Sequence, residues 1–204
     1  MIKEFLKEYE RTDRRKLKVR NVLEKRQPNL TLVLENVHDP HNVAAVLRTA
    51  DCVGIFEVCL VYHSGQEFPK KMGKKSSGNA RKWVNYLLFD SIESCYEKLK
   101  SEGKKIFTTH LGTESKSLYD LDLTQPVALV FGNEHKGLTE EALSLSDGNF
   151  IIPQVGMTQS LNISVACAVS AYEAMRQRTL AGLYDTPQLS PEVLDETYNY
   201  WVKK

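Results

Sequence analysis

Three short segments of the 204-residue chain carry polar and titratable residues at the ends of apolar runs. The first, HDPHNVAAVLRTADCVG (38–54), sets His38, Asp39, His41 and Asn42 at the start of a helical pattern, with Arg48 inside it. Two histidines and a carboxylate suggest a metal. However, Pro40 interrupts them, and no further cluster of ligand residues stands nearby to complete a shell, so no metal is expected. As local structure, Pro40 breaks the preceding strand, Asn42 caps the helix and Gly54 ends it. Arg48 and Asp51, three apart, would make a surface pair worth about 0.2–0.5 kcal/mol. That account leaves Arg48 unexplained among Ala44, Ala45, Val46 and Leu47.

The second segment, VALVFGNEHKGL (127–138), runs an apolar strand into Gly132, Asn133 and Glu134, with Gly137 before a helix. Glycine at the carboxyl end of a strand lets a ligand approach the backbone, and open parallel sheets bind ligands at that edge. Neither GxxxxGK[ST] nor GxGxxG is present, so a phosphate loop or dinucleotide fingerprint has no support. In the third segment, IIPQVGMTQSLNIS (151–164), a strand ends at Pro153 and enters a helix through Ser160 and Asn162. Backbone N–H groups exposed at such a helix start favour anionic groups.

The elements that must hold these segments are legible as an alternation. TLVLENV, IFEVCLVY, VNYLLF, KIFTTHL, VALVFG and NFIIP read as buried strands. Helical patterns lie between them at Val43–Cys52, Ile92–Leu99 and Leu138–Leu145, and a long one begins at QSLNISVACAVSAYEAMRQR, capped by Ser160 or Asn162. This predicts an α/β fold, a mostly parallel sheet with helices on both faces. Residues 1–27 form a basic helical extension that ends before Pro28, 28–182 the core, and 183–204 a tail. Ser190 and Pro191 start a final helix through Trp201 that packs on the domain or on a second subunit.

Composition narrows the function classes. The chain is 42% hydrophobic and 26% charged. No apolar run approaches the roughly 20 residues of a membrane span, and the charged N-terminus is no secretory signal; the cytoplasm is the expected compartment. Cys52, Cys59, Cys95 and Cys167 are dispersed and read as buried free thiols. A net charge of +1 conceals two basic segments: eight Lys/Arg from Arg11 to Arg26, and six with no acid from Lys70 to Lys82. Such patches suit a polyanion.

In this order and spacing, N42VAAVLR48, FGNEHKGL (131–138) and IIPQVGMTQSLNISVA (151–166) resemble the three motifs of the SpoU branch of the SPOUT RNA 2′-O-ribose methyltransferases. The basic leader and the compact core, without an added N-terminal RNA-binding domain, are most similar to the tRNA-modifying members. The resemblance spans about residues 14–184. It implies a C-terminal trefoil knot, which strand-by-strand reasoning would reject. It also implies S-adenosylmethionine held by Thr109, Gly132, Ile152 and Leu161, tRNA as the substrate, and a homodimer.

The motif positions carry over as catalytic candidates: Arg48, Asn42, Glu134, Ser160 and Asn162. The resemblance offers Arg48 as the base, but a guanidinium with a pKa above about 12 keeps its proton in proteins. The expected role is to bind the ribose-phosphate and stabilise the developing alkoxide. The RNA-binding candidates are Arg11, Arg14, Arg15, Lys18, Arg20, His41, Lys74, Lys75 and Arg81. The tail departs from basic relatives by holding Asp185, Glu192, Asp195 and Glu196. A ribosomal-RNA methyltransferase and a catalytically silent RNA-binding protein of the same fold stand as alternatives.

Overall fold

The computed structural model describes residues 2–63, 80–112, 114–158 and 160–204, with side chains from residue 12 onward. Its strands are Gln27–Glu35 (β1), Ile55–Val61 (β2), Asn85–Phe89 (β3), Lys105–Thr109 (β4), Lys116–Ser117 (β5), Val127–Phe131 (β6) and Gly148–Ile151 (β7). All neighbours pair in parallel, in the order β3-β2-β1-β6-β4-β7-β5. All seven carboxyl ends therefore lie along one edge. The last strand, β7, enters between β4 and β5, both earlier in the chain.

Period-two alternation explains the layers. Leu30, Leu32 and Leu34 of β1 face one side of the sheet, where Pro40–Val53 (α2) and Ile163–Leu180 (α5) cover them with Val43, Val46, Leu47, Cys167 and Ala171. Val33 faces the other side, against Ile92–Ser101 (α3) and Ala142 of Glu140–Ser144 (α4). The terminal helices Ile2–Leu23 (α1) and Pro191–Trp201 (α6) pair with each other through Val19, Leu23, Leu194 and Trp201, and Trp83 packs against them. Ser190 caps α6 as expected, its side chain accepting from Val193 N. Asp195 of the acidic tail pairs with Arg20 of α1 at 3.0 Å.

Several sequence expectations need correction. The cap of α2 is Asp39, whose side chain accepts from His41 N, and Pro40 takes the first helical turn; Asn42 lies inside the helix and is buried. Gly54 does end α2, at φ 82°. Asp51 pairs with Arg26 at 2.5 Å instead of with Arg48. Arg26 itself is fully buried, which withdraws it from the polyanion-facing segment. The first helix stops at Leu23, short of residue 26. The helix expected over Leu138–Leu145 is shorter, because the Thr139 hydroxyl caps it by accepting from Ala142 N. Cys59, Cys95 and Cys167 are buried, whereas Cys52 is exposed.

A second buried arginine joins α5 to the sheet. Arg178 is 1% exposed. It donates to Leu123 O, Gln27 Oε1, Asn29 O and Gln125 O at 2.9–3.1 Å. Burial pushes its guanidinium down to about 10, so it remains a cation at neutral pH. Arg178→Met would strand those four acceptors. The expected loss is about 3 kcal/mol, read as a lower urea midpoint with an unchanged slope.

Candidate active site

The carboxyl ends of β4, β6 and β7 open onto a cleft of about 800 Å³. Its lining includes Thr109, Gly132, Ile152 and Leu161, the four residues singled out for a ligand, together with Glu134, Ser160 and Asn162. The apolar wall is Phe131, Phe150, Ile163 and Ala166. Phe131 and Phe150 meet edge to face at 6.0 Å, which fixes the shape of that wall. The Thr109 hydroxyl already donates to Val130 O at 3.0 Å, so a ligand there meets backbone or methyl.

Gly132 is required by its own loop. A Cβ there would lie 2.3 Å from Gly137 C and 2.4 Å from Leu138 N. Asn133 and Gly137 exchange both backbone hydrogen bonds at 2.9 Å, closing the turn beneath Glu134. Asn133 Oδ1 accepts from His135 N and Lys136 N, and its Nδ2 donates to Asn36 O at 2.8 Å. The glycine therefore serves first the folding back of the loop.

Three candidate residues form a polar chain behind the cleft. Asn42 Nδ2 donates to Glu134 Oε1 at 2.9 Å, and Asn162 Nδ2 donates to Asn42 Oδ1 at 3.2 Å. Asn162 Oδ1 in turn accepts from Ser164 N and Ser164 Oγ, capping α5. An ionised carboxylate only accepts, so Glu134 dictates which way both amides face. The chain ties α2, the 132–138 loop and the start of α5 into one frame.

Arg48 stands outside this frame. It lies six residues beyond Asn42, about 9 Å along α2 and ~120° round it. It is exposed and makes no ion pair or hydrogen bond among the described residues. Of the RNA candidates, His41, Arg14, Arg15, Lys18 and Arg81 are exposed. Arg20 is held by Glu24 and Asp195, and Arg81 donates to the Tyr86 hydroxyl at 2.9 Å. The Arg11 side chain, Lys74 and Lys75 lie outside what the structure describes. No group of three or more metal-ligating side chains occurs among the described residues.

Sequence reasoning missed Glu35. It is fully buried at the end of β1, and its carboxylate accepts from Thr139 N, Thr139 Oγ1 and His63 Nε2 at 2.7–2.9 Å. It thereby clamps the start of α4 just after the loop that carries Glu134. The signal was one acid inside an otherwise apolar strand, LTLVLEN.

A family model described as the SpoU rRNA Methylase family matches residues 29–172. The chain is 43% identical over 195 residues to the tRNA (guanosine(18)-2′-O)-methyltransferase of Thermus thermophilus, covering 96% of this chain and 99% of that one. The solved TrmH/SpoU tRNA modifying enzyme of A. aeolicus superposes with a TM-score of 0.87 at 35% identity, over 94% of this chain and 96% of that one. An AdoMet-bound rRNA methyltransferase from Sinorhizobium meliloti superposes with a TM-score of 0.66 at 26% identity, over 78% of this chain and 59% of that one.

Proposed function

We infer the activity from one premise: the chain belongs to the SpoU methylase family. It methylates the ribose 2′-hydroxyl of guanosine 18, in the D-loop of tRNA, using S-adenosylmethionine. The observation that carries the site assignment is the single cleft in which the cofactor candidates Thr109, Gly132, Ile152 and Leu161 meet Glu134, Ser160 and Asn162. Its apolar wall and glycine-closed loop fit a flat adenine. When bound, S-adenosylmethionine supplies an electrophilic methyl group on a sulfonium.

The chain's own residues do the rest. The Glu134–Asn42–Asn162 frame fixes the loop and the helix start between which the ribose must sit. Ser160 lines the same wall and orients the sugar. Arg48, exposed on α2, binds the ribose-phosphate and stabilises the alkoxide as it develops. Residues 1–27 with Arg11, Arg14, Arg15, Lys18 and Arg20, together with His41, Lys74, Lys75 and Arg81, form the RNA surface. Cytoplasmic residence follows from the substrate; among the described residues no helix is long and apolar enough to cross a membrane.

A homodimer is part of this reading. The exposed face of α5 carries Val165, Ala168 and Tyr172 at helical spacing, with Val165 45% and Tyr172 52% exposed. The wild type should sediment at twice the 23.2 kDa chain mass. Val165→Glu with Tyr172→Glu should sediment at the chain mass; an unchanged dimer in that variant would remove α5 from the interface.

Two further experiments test the site and the activity. Gly132→Ala forces the 132–138 loop open, and S-adenosylmethionine binding by calorimetry should weaken at least about ten-fold, roughly 1.4 kcal/mol; unchanged affinity would detach the cofactor from that loop. With labelled S-adenosylmethionine, the protein should label unmodified tRNA and leave ribosomal RNA unlabelled. Label in ribosomal RNA alone would overturn the substrate, and no label in either would favour a silent RNA-binding protein.

A further inference from the structure

A second cleft, of about 450 Å³, lies at the amino-terminal edge of the sheet, between α1, α6 and the turn at Ala80–Lys82. Its floor is Val19, Val22, Trp83 and Trp201. Four cations, Arg15, Lys18, Lys82 and Lys204, ring it. All four are exposed, and none makes a salt bridge among the described residues. Trp83 is half-buried and meets Trp201 edge-on at 5.1 Å. Lys204 Nζ lies 5.8 Å from the Trp83 ring centroid and donates to Lys82 O.

Among the described residues the one acid lining the cleft is Asp51, and one of its two oxygens is matched. Asp51 Oδ1 accepts from Arg26 Nη2, and Arg26 also donates to Trp83 O and covers the Trp201 ring at 5.2 Å. The second Asp51 oxygen has no partner among the described residues and is free to accept. The fully buried Arg26 keeps Nε without a hydrogen-bond partner among the described residues. An apolar aromatic floor, one free carboxylate oxygen and a ring of cations with no acid partner among the described residues are the complement of a nucleotide: a flat base, an N–H donor on its edge, and phosphate.

We propose that this cleft holds one unpaired nucleotide of the RNA, its base against Trp83 and its phosphates on the ring of cations. The proposal rests on the reading above that RNA is the substrate. A base-paired nucleotide has its faces and edge covered, so the occupant must be unstacked or in a loop. The cleft is remote from the methyl-transfer site: Asp51 lies nine residues beyond Asn42, about 14 Å along α2. Arg48, three residues before Asp51, shares its face of the helix and continues the cationic track toward the reacting ribose.

The chain's two tryptophans both line this cleft, so intrinsic emission reports on it alone. Unmodified tRNA is titrated into the full chain while tryptophan emission, filter retention and methyl incorporation are followed in parallel. The expected result is saturable quenching with the same midpoint as retention, and protection of the half-buried indole from acrylamide. The double variant Lys82→Ala, Lys204→Ala should bind tRNA roughly ten-fold more weakly, with S-adenosylmethionine affinity unchanged. Retention and methylation with unaltered emission, or wild-type tRNA affinity in the double variant, would overturn the cleft and leave the methyltransferase reading intact. Quenching and retention without methyl transfer would support the cleft and sink the methyltransferase reading.

Discussion

Arg48→Ala is expected to slow single-turnover methylation about 100- to 1,000-fold, the usual consequence of deleting one charge-stabilising donor at a reacting oxygen. S-adenosylmethionine affinity should not change, because Arg48 does not line the cleft that would hold the cofactor. Stability should stay within about 0.5 kcal/mol, since the side chain is exposed and bonds to nothing among the described residues. Arg48→Lys keeps the charge but loses the planar fork that grips a ribose and phosphate together, so a loss of about ten-fold is expected. The pH–rate profile separates this role from general base catalysis. Electrostatic stabilisation predicts the same profile shape in wild type and Arg48→Lys. A kinetic pKa that moves with the substitution would make the guanidinium the proton acceptor.

The second large effect concerns Asn42. Asn42→Asp changes one heavy atom, yet it places a carboxylate where an amide now donates to Glu134 Oε1 at 2.9 Å. Two carboxylates that close cannot both ionise, so one takes a proton and its pKa rises. The folded-state value then exceeds the unfolded one. The native state binds the extra proton, and the variant loses stability as pH climbs above about 4. Activity should follow the same sign: about 100-fold below wild type near pH 8, where repulsion pushes the loop aside, with partial recovery toward pH 6. Uniform loss at every pH would mean that Asn42 acts on the ribose directly and does not position Glu134. Glu134→Gln, which keeps an acceptor for Asn42, should retain more activity at pH 8 than Asn42→Asp.

Six of the seven strands among the described residues are readable in the sequence for one physical reason. Parallel strands covered on both faces are nearly continuous apolar runs, as TLVLENV and VALVFG are. Lys116–Ser117 is a two-residue edge pairing with β7 and leaves no such mark. The cap of α2 was decidable: Asp39 and Asn42 are both good caps, but proline prefers the first helical turn, which selects the residue before Pro40. Arg26 was not decidable. Its burial depends on Asp51, Ile55 and Trp83, brought together only by the fold, and a basic run gives no sign that one member turns inward.

At the site, the residue types were legible and their partnerships were not. Gly132, Glu134, Ser160 and Asn162 stand at strand ends and helix starts, where ligands bind. That Asn42 joins Glu134 to Asn162 follows from β6 lying beside β1, a strand order that no local periodicity encodes. The same holds for β7 entering between β4 and β5. A resemblance to a family carries that topology, whereas hydrophobic pattern alone does not.

The proposed reaction is methyl transfer to one ribose oxygen. Its most direct test is a pair of otherwise identical unmodified tRNAs, one carrying guanosine at position 18 and the other 2′-deoxyguanosine, incubated with the protein and labelled S-adenosylmethionine. About one methyl group per molecule is expected in the first, mapped to the ribose of guanosine 18, and none in the second. Equal labelling of both tRNAs, or label on a base or another ribose, would contradict it.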